Sequence, residues 1–168
     1  GIPIVPGLSV SMGGTGPITM AGAVVQQMAE LMGWMTLVQL IRPGAPVAIH
    51  HGGSPLNMRT GDYYIPSPSR SIVTTMINQM LRHYHIPSWV NSGWTSSSKK
   101  IDYQVAFDKG LGALAGSMSG GNLILFQGGS SIELTYSSVL AIMDDDIAGW
   151  IGHYLEGPTV NHVTLALD

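Results

Sequence analysis

Val47-Ala48-Ile49-His50-His51-Gly52-Gly53-Ser54 is the stretch on which the reading of the fold turns. A short β-branched run stops at two histidines and passes at once into glycine and serine, the pattern of a strand delivering its end to a tight loop. The pattern recurs at Ile2 to Val10, Ser88 to Ser92 and Leu123 to Gln127, each run followed by a Gly- or Ser-rich turn and then a helical periodicity. The starts are spaced by roughly 35 to 45 residues, the size of successive β-loop-α modules. The runs are apolar on both faces, as parallel strands covered by helices must be. Four β/α units are therefore predicted, α/β in class, either as an arc of a (β/α)8 TIM barrel or as an open doubly wound sheet. A closed barrel of that kind needs about 250 residues, and the chain has 168. The expectation is a half barrel in which residues 1–168 supply one continuous part of a domain.

The helices are predicted from their ends. Pro17 opens Ile18 to Ile41, Ser69 caps Arg70 to His85, Asp102 caps Tyr103 to about Ser119, and Ser137 or Ser138 caps Val139 to Leu155, with Gly157-Pro158 as the stop. Gly112, Gly116 and Gly120 form a stripe of small residues that lets the third helix approach the sheet closely. Thr164 to Asp168 reads as the start of another helix, so a longer natural chain is expected.

Only 10% of the residues are charged and the formal net charge is −3. About 25% charge is ordinary for soluble domains, so much of this surface is expected to meet other protein, and a homo-oligomer is predicted. The charge balance gives no pull toward nucleic acid. Ile18 to Ile41 is long and apolar, but Gln26, Gln27 and Glu30 interrupt it, which favours a buried helix over a membrane span. There is no cysteine, hence neither disulfides nor thiolate metal sites, which fits a cytoplasmic protein. No metal site is expected.

In such folds the reacting groups sit on loops after the C-terminal strand ends. His50 and His51 are adjacent on a strand, so their side chains point to opposite faces and cannot form one metal pair. One of them faces the mouth, where it could hold a carboxylate or a cofactor edge; the other is a buried structural histidine. The segment Pro55 to Pro68 carries Arg59, Asp62, Tyr63 and Tyr64 and is long enough either to cover the mouth or to pack on a neighbouring subunit. Trp89, Trp94 and Phe126 add aromatic faces, which attract quaternary ammonium ions but are also common core residues. Asp144, Asp145 and Asp146 point three ways around a helix and are read as a solvated face or subunit contact. Gly13, Gly14 and Gly16 lack the spacing of a nucleotide loop and are read as a plain strand-to-helix turn.

Gly1-Ile2-Pro3-Ile4 through Gly22, Arg42-Pro43-Gly44-Ala45, Pro87-Ser88-Trp89-Val90, Ser96-Ser97-Ser98-Lys99 with Asp102 and Gln104, and Gly121-Asn122-Leu123-Ile124 together resemble, in this order, the trimethylamine methyltransferase family. The resemblance covers essentially the whole chain and implies the latter part of a (β/α)8 barrel methyltransferase domain. Members of the trimethylamine type carry pyrrolysine just before a Ser-Asp-Ala-Lys-like segment. Here the matching place holds Thr95 or Trp94, and Ser97 replaces the motif's Asp. The resemblance then implies the branch without pyrrolysine, some of whose members demethylate quaternary amines such as glycine betaine. The methyl acceptor it implies is the Co(I) corrinoid (cobalamin) of a partner protein, none being held tightly by this chain. The roles that follow are Thr95 and Trp94 at the reacting position and Trp94, Tyr63 and Tyr64 as an ammonium cage. His50 or His51 with Arg59 would hold a carboxylate, and Asn91, Gln127 and Glu133 would line the cofactor face. The competing expectations are a non-catalytic half barrel that self-associates through its open edges and a homologue with another substrate.

Overall fold

In the computed structural model, which describes residues 2–166, strands and helices alternate: β1 (Gly7–Met12), α1 (Met20–Ile41), β2 (Ile49–Pro55), α2 (Pro68–His83), β3 (Ser88–Val90), α3 (Tyr103–Met118) and β4 (Leu123–Ile124). A two-stranded antiparallel hairpin, β5 (Gly129–Ser130) with β6 (Thr135–Tyr136), then leads into α4 (Ser138–Glu156). The four main strands form one parallel sheet in chain order, β1-β2-β3-β4.

Capping chemistry sets the helix starts. Asp102 accepts from the Val105 amide at 3.2 Å and Ser137 from the Leu140 amide at 3.4 Å, as the sequence predicts. For α2 the cap is Ser67 rather than Ser69, accepting from the Arg70 amide at 3.2 Å. Pro68 takes the first helical position, where its missing N–H costs nothing. His83 closes α2, while His85 lies beyond it with φ 57°. The expected turn at Gly52-Gly53-Ser54 is instead strand, because these residues pair in register with Ser9, Val10 and Ser11 of β1. β1 starts later than Ile2, although Ile4 still bridges to Val47. The helix predicted over Thr164 to Asp168 lies partly outside the described residues, which end there in a turn.

The register fixes two faces. Ile49, His51 and Gly53 of β2 point to one side, where a Cβ on Gly53 would meet Gln27 of α1 and Val73 of α2. Val90 of β3 points the same way and touches the positions of Gly116 and Gly121 around α3. Thus α1, α2 and α3 cover one and the same face, with α4 packed beside α3. A doubly wound sheet would spread its crossovers over both faces. Between helices and sheet lies the core: Val10, Met12, Ala23, Val24, Met28, Leu31, Ile49, Val73, Ile77, Leu81 and Ile86. Each such side chain contributes about 1.5–3 kcal/mol when fully buried.

Among the described residues β1 and β4 each pair on one side only, so both sheet edges are open. The low charge of the chain is visible on the outer helices. α1 is buried along one side through Ala23, Val24, Gln27, Met28, Leu31 and Val38, yet exposes Val25, Trp34, Leu37 and Leu40. α4 exposes Val139, Ile142, Trp150 and Tyr154. Among the described residues no helix is long and apolar enough to cross a membrane.

Candidate functional site

The face of the sheet turned away from the helices carries His50, Gly52 and Ser54 of β2. Their register partners are Gly7, Ser9 and Ser11 of β1 and, beside His50, Trp89 of β3. One pair further on, past the end of β3, Asn91 continues the row: its Nδ2 and the Ser9 hydroxyl both lie beside the Cβ position of Gly52. This inner face is polar where the helix side is apolar. Among the described residues several of its buried atoms have no hydrogen-bond partner, namely His50 Nε2, Trp89 Nε1 and Asn91 Oδ1. Buried polar groups are normally satisfied; on the helix side Gln27 and His51 Nδ1 are likewise without a partner among the described residues.

The two histidines separate as β alternation requires. His51 is fully buried on the helix side, its Nε2 2.8 Å from Asn78 Oδ1 of α2. Asn78 in turn donates to Ser119, whose hydroxyl donates to the Gly116 carbonyl at 2.6 Å. Burial, only partly opposed by the Asn78 bond, lowers the His51 pKa to about 4. His50 is the inner-face histidine, half-buried and packed edge-on against Trp89 with ring centroids 5.4 Å apart. Burial, and next the charge of Arg70, lowers its pKa as well.

Arg70 was not among the residues singled out from sequence. It stands in the first turn of α2, 4% exposed, and its guanidinium donates to Ser54 Oγ and to the Asn91 carbonyl. Burial lowers its pKa to about 10, partly offset by the charge of Glu133, so it remains a cation at neutral pH. Its readable signal is helical spacing, since Arg70 shares the buried side of α2 with Val73, Thr74, Ile77, Asn78 and Leu81.

The segment after β2 folds back over the strand ends. Leu56 bridges to Tyr63, the Tyr64 amide donates to the Pro55 carbonyl at 2.9 Å, and the Ser11 hydroxyl meets the Tyr63 hydroxyl at 2.7 Å. Arg59 and Tyr64 are exposed there, and Tyr63 is partly so. Among the described residues no aromatic pair joins Trp94 to Tyr63 or Tyr64; the pair on the inner face is His50 with Trp89.

The loop after β3 is fixed from behind. Thr95 is 1% exposed and its hydroxyl accepts from the Glu133 amide at 3.1 Å. Trp94 is half-buried with Nε1 unpaired. Lys109 of α3, with no exposed surface, donates from Nζ to the carbonyls of Trp94 and Gly129, 3.1 Å each, and pairs with Asp144 Oδ2 of α4 at 2.9 Å. The same carboxylate oxygen accepts from the Gly128 amide at 2.7 Å. Asp144 is thus a buried partner rather than part of a solvated face, because its turn of α4 abuts α3; Asp145 and Asp146 are exposed. Gln127 and Glu133 lie exposed near the hairpin. The Glu133 carboxyl is raised by burial, with Arg70 pulling the other way.

Apolar grooves of about 340 Å³ between α3 and α4 and about 350 Å³ beside the start of α2 lie among the outer helices, away from the inner face. Among the described residues no three His, Asp or Glu side chains converge to hold a metal.

Residues 3–168 match the model of the family described as Trimethylamine methyltransferase (MTTB). The chain is 32% identical over 160 residues to a glycine betaine methyltransferase of Desulfitobacterium hafniense, covering 95% of this chain and 33% of that protein. It is 30% identical over 162 residues to a trimethylamine methyltransferase MttB of Methanosarcina barkeri, covering 96% and 32% respectively. A trimethylamine methyltransferase MttB of Desulfitobacterium hafniense is 31% identical with the same coverage. The chain spans about a third of the length of the curated relatives it matches.

Proposed function

Since the chain belongs to the trimethylamine methyltransferase family, we propose that it is the C-terminal half of a (β/α)8 barrel that moves a methyl group from a methylated amine to a corrinoid. The amine is taken as quaternary, with glycine betaine as the type, and the Co(I) corrinoid as carried by a partner protein. The observation that supports this reading is the polar face of the sheet away from the helices, which runs from His50 and Trp89 within the strands to Ser54 and Asn91 toward their C-terminal ends, with His50 Nε2, Trp89 Nε1 and Asn91 Oδ1 buried and unpaired among the described residues. Helices on one side of the sheet support an arc of a barrel, whose interior this face would line, with the mouth at the Ser54 and Asn91 end.

The state of Thr95 supports a quaternary substrate. Its hydroxyl is buried, accepts from the Glu133 amide and donates to the Ser96 carbonyl at 3.5 Å, so it is turned to the protein rather than to a neutral amine. A quaternary nitrogen needs no activating group. The N–CH3 bond breaks with its electron pair staying on nitrogen, a neutral tertiary amine leaves, and no proton moves. A bound Co(I) corrinoid would supply the electron pair that receives the methyl carbon. The chain's own part is orientation and exclusion of water. Trp94, Tyr63 and Tyr64 are assigned to the ammonium, with Trp89 added from its place beside His50. Asn91, Gln127 and Glu133 are assigned to the corrinoid side, where Gln127 and Glu133 are exposed. A cytoplasmic, homo-oligomeric protein completes the reading, the exposed apolar rows of α1 and α4 supporting self-association.

The test is methyl transfer from glycine betaine to Co(I) cobalamin by the full natural protein, followed by the visible spectrum of the cobalamin. Spectral conversion with betaine, diminished by Trp94→Ala, is expected. No conversion with betaine, carnitine or trimethylamine would sink the reading. The two open sheet edges favour one alternative, a non-catalytic half barrel that self-associates; a dimer on gel filtration that binds neither amine nor corrinoid would establish it.

A further inference from the structure

A buried guanidinium is expensive unless a negative charge meets it. Arg70 is 4% exposed, and the hydrogen bonds of its two terminal nitrogens go to neutral oxygens, Ser54 Oγ and the Asn91 carbonyl. Among the described residues no carboxylate lies within ion-pair distance of it. Glu133 is the acid whose field reaches Arg70, but Glu133 is itself exposed. Among the described residues the cation reaches this face without a paired counter-charge.

The surroundings suit one kind of guest. A Cβ on Gly52 would stand 3.5 Å from Arg70 Nη2, 3.6 Å from Asn91 Nδ2 and 3.7 Å from Ser9 Oγ. The bare glycine therefore leaves a recess ringed by a guanidinium, an amide and a hydroxyl, all hydrogen-bond donors. Trp89 Nε1, another unpaired donor, lies on the same face, as does unpaired His50 Nε2. Donors that converge around a buried cation match a carboxylate, whose planar oxygens accept two parallel N–H groups from a guanidinium.

We propose that Arg70, Gly52 and Asn91 form the subsite that holds the carboxylate of the betaine-type substrate taken above, so that these residues select it over a simple alkylammonium. This rests on the inner face being the amine site, as proposed above. It moves the carboxylate contact from Arg59, exposed on the loop, to Arg70. The cationic end then lies at the Trp89 and Trp94 side of the recess, and the carboxylate sets which methyl is presented.

The test is calorimetric binding to the full natural protein of two probes of similar head group, glycine betaine and tetramethylammonium, with methyl transfer measured in parallel. Hydrogen bonds to a charged group predict that betaine binds about a hundredfold more tightly than tetramethylammonium. Arg70→Gln should erase most of that ratio and Arg70→Lys restore part of it. Because a change at a buried arginine can impair folding, Gly52→Ala is the second variant. It keeps the cation, fits the backbone and fills the recess, and should lower the ratio at least tenfold on the same reasoning. Equal affinities in the wild type, a ratio unmoved by Gly52→Ala and Arg70→Gln, or equal losses for both probes would overturn the subsite. The last would mark Arg70 as the partner of another protein segment. A betaine preference that depends on Arg70 without any methyl transfer would leave the subsite standing and refute the methyltransferase reading instead.

Discussion

Replacing Lys109 by Met is the most demanding perturbation of this fold. The ammonium has no exposed surface and serves three acceptors, Asp144 Oδ2 at 2.9 Å and the carbonyls of Trp94 and Gly129 at 3.1 Å. Methionine fills the same space but leaves a carboxylate, 2% exposed, with the Gly128 amide as its remaining donor. Breaking a buried pair from one side costs about 3–5 kcal/mol, a large part of the 5–15 kcal/mol that about spans ordinary domain stability. In Lys109→Met/Asp144→Asn the stranded charge is gone, so the double variant should recover about 2 kcal/mol relative to Lys109→Met. Urea unfolding of the natural chain, followed by tryptophan fluorescence, measures Lys109→Met, Asp144→Asn and the double variant. A Lys109→Met cost below about 1 kcal/mol, or single effects that simply add, would refute the pair as a buried, coupled unit.

The other predictions concern pH and glycine. His51 has a folded pKa of about 4 against 6.5 in solution. The unfolded chain therefore binds more protons between those values, and the stability that the neutral ring supplies is complete above pH 6.5 and lost as pH falls toward 4. The loss amounts to about 3 kcal/mol, and His51→Gln should flatten the urea midpoint over that window; an unchanged pH profile would contradict it. Gly93 has φ 80°, and a Cβ there would lie 2.6 Å from Ala113 Cβ and 2.9 Å from the Lys109 carbonyl. Gly93→Ala should cost about 2–4 kcal/mol in thermal or urea unfolding. Gly110, in the same region of α3, meets nothing within 4 Å, so Gly110→Ala should stabilise by about 0.5–1 kcal/mol. If both changes acted in the same direction, the packing of α3 described above would be wrong.

The alternation of strands and helices was legible because it is local: periodicity and caps such as Asp102 and Ser137 act within a few residues. The opposite facing of His50 and His51 also followed from strand geometry, though which of them meets the helices depended on register with β1 and β3. What stayed hidden was long-range. Lys109 and Asp144 are far apart in sequence, and a lysine on the small-residue stripe of α3 looks anomalous only once Gly112, Ala113 and Gly116 are seen against β3 and its loop. The β5–β6 hairpin is made of two-residue strands, too short for a period to register. Gly52 to Ser54 read as a turn because glycine and serine usually punctuate; their strand pairing came from β1, not from themselves. Arg70 enters the sequence reading only as the start of the second helix, although its spacing already places it on the buried side.

At Gly112 and Gly93 the contact between α3 and the loop after β3 is backbone on backbone, with Ser92, Ala113 and Lys109 packed or bonded around it. A Cβ on Gly112 would sit 3.1 Å from the Gly93 amide nitrogen, and one on Gly116 2.8 Å from Ser92 Cβ. Two backbones in direct touch cannot slide by rotamer changes, so thermal motion of the helix is handed to residues 92–95 undiminished and theirs to it. A ligand that stills Trp94 should therefore slow the opening of α3 most where Gly112, Ala113 and Gly116 touch that loop.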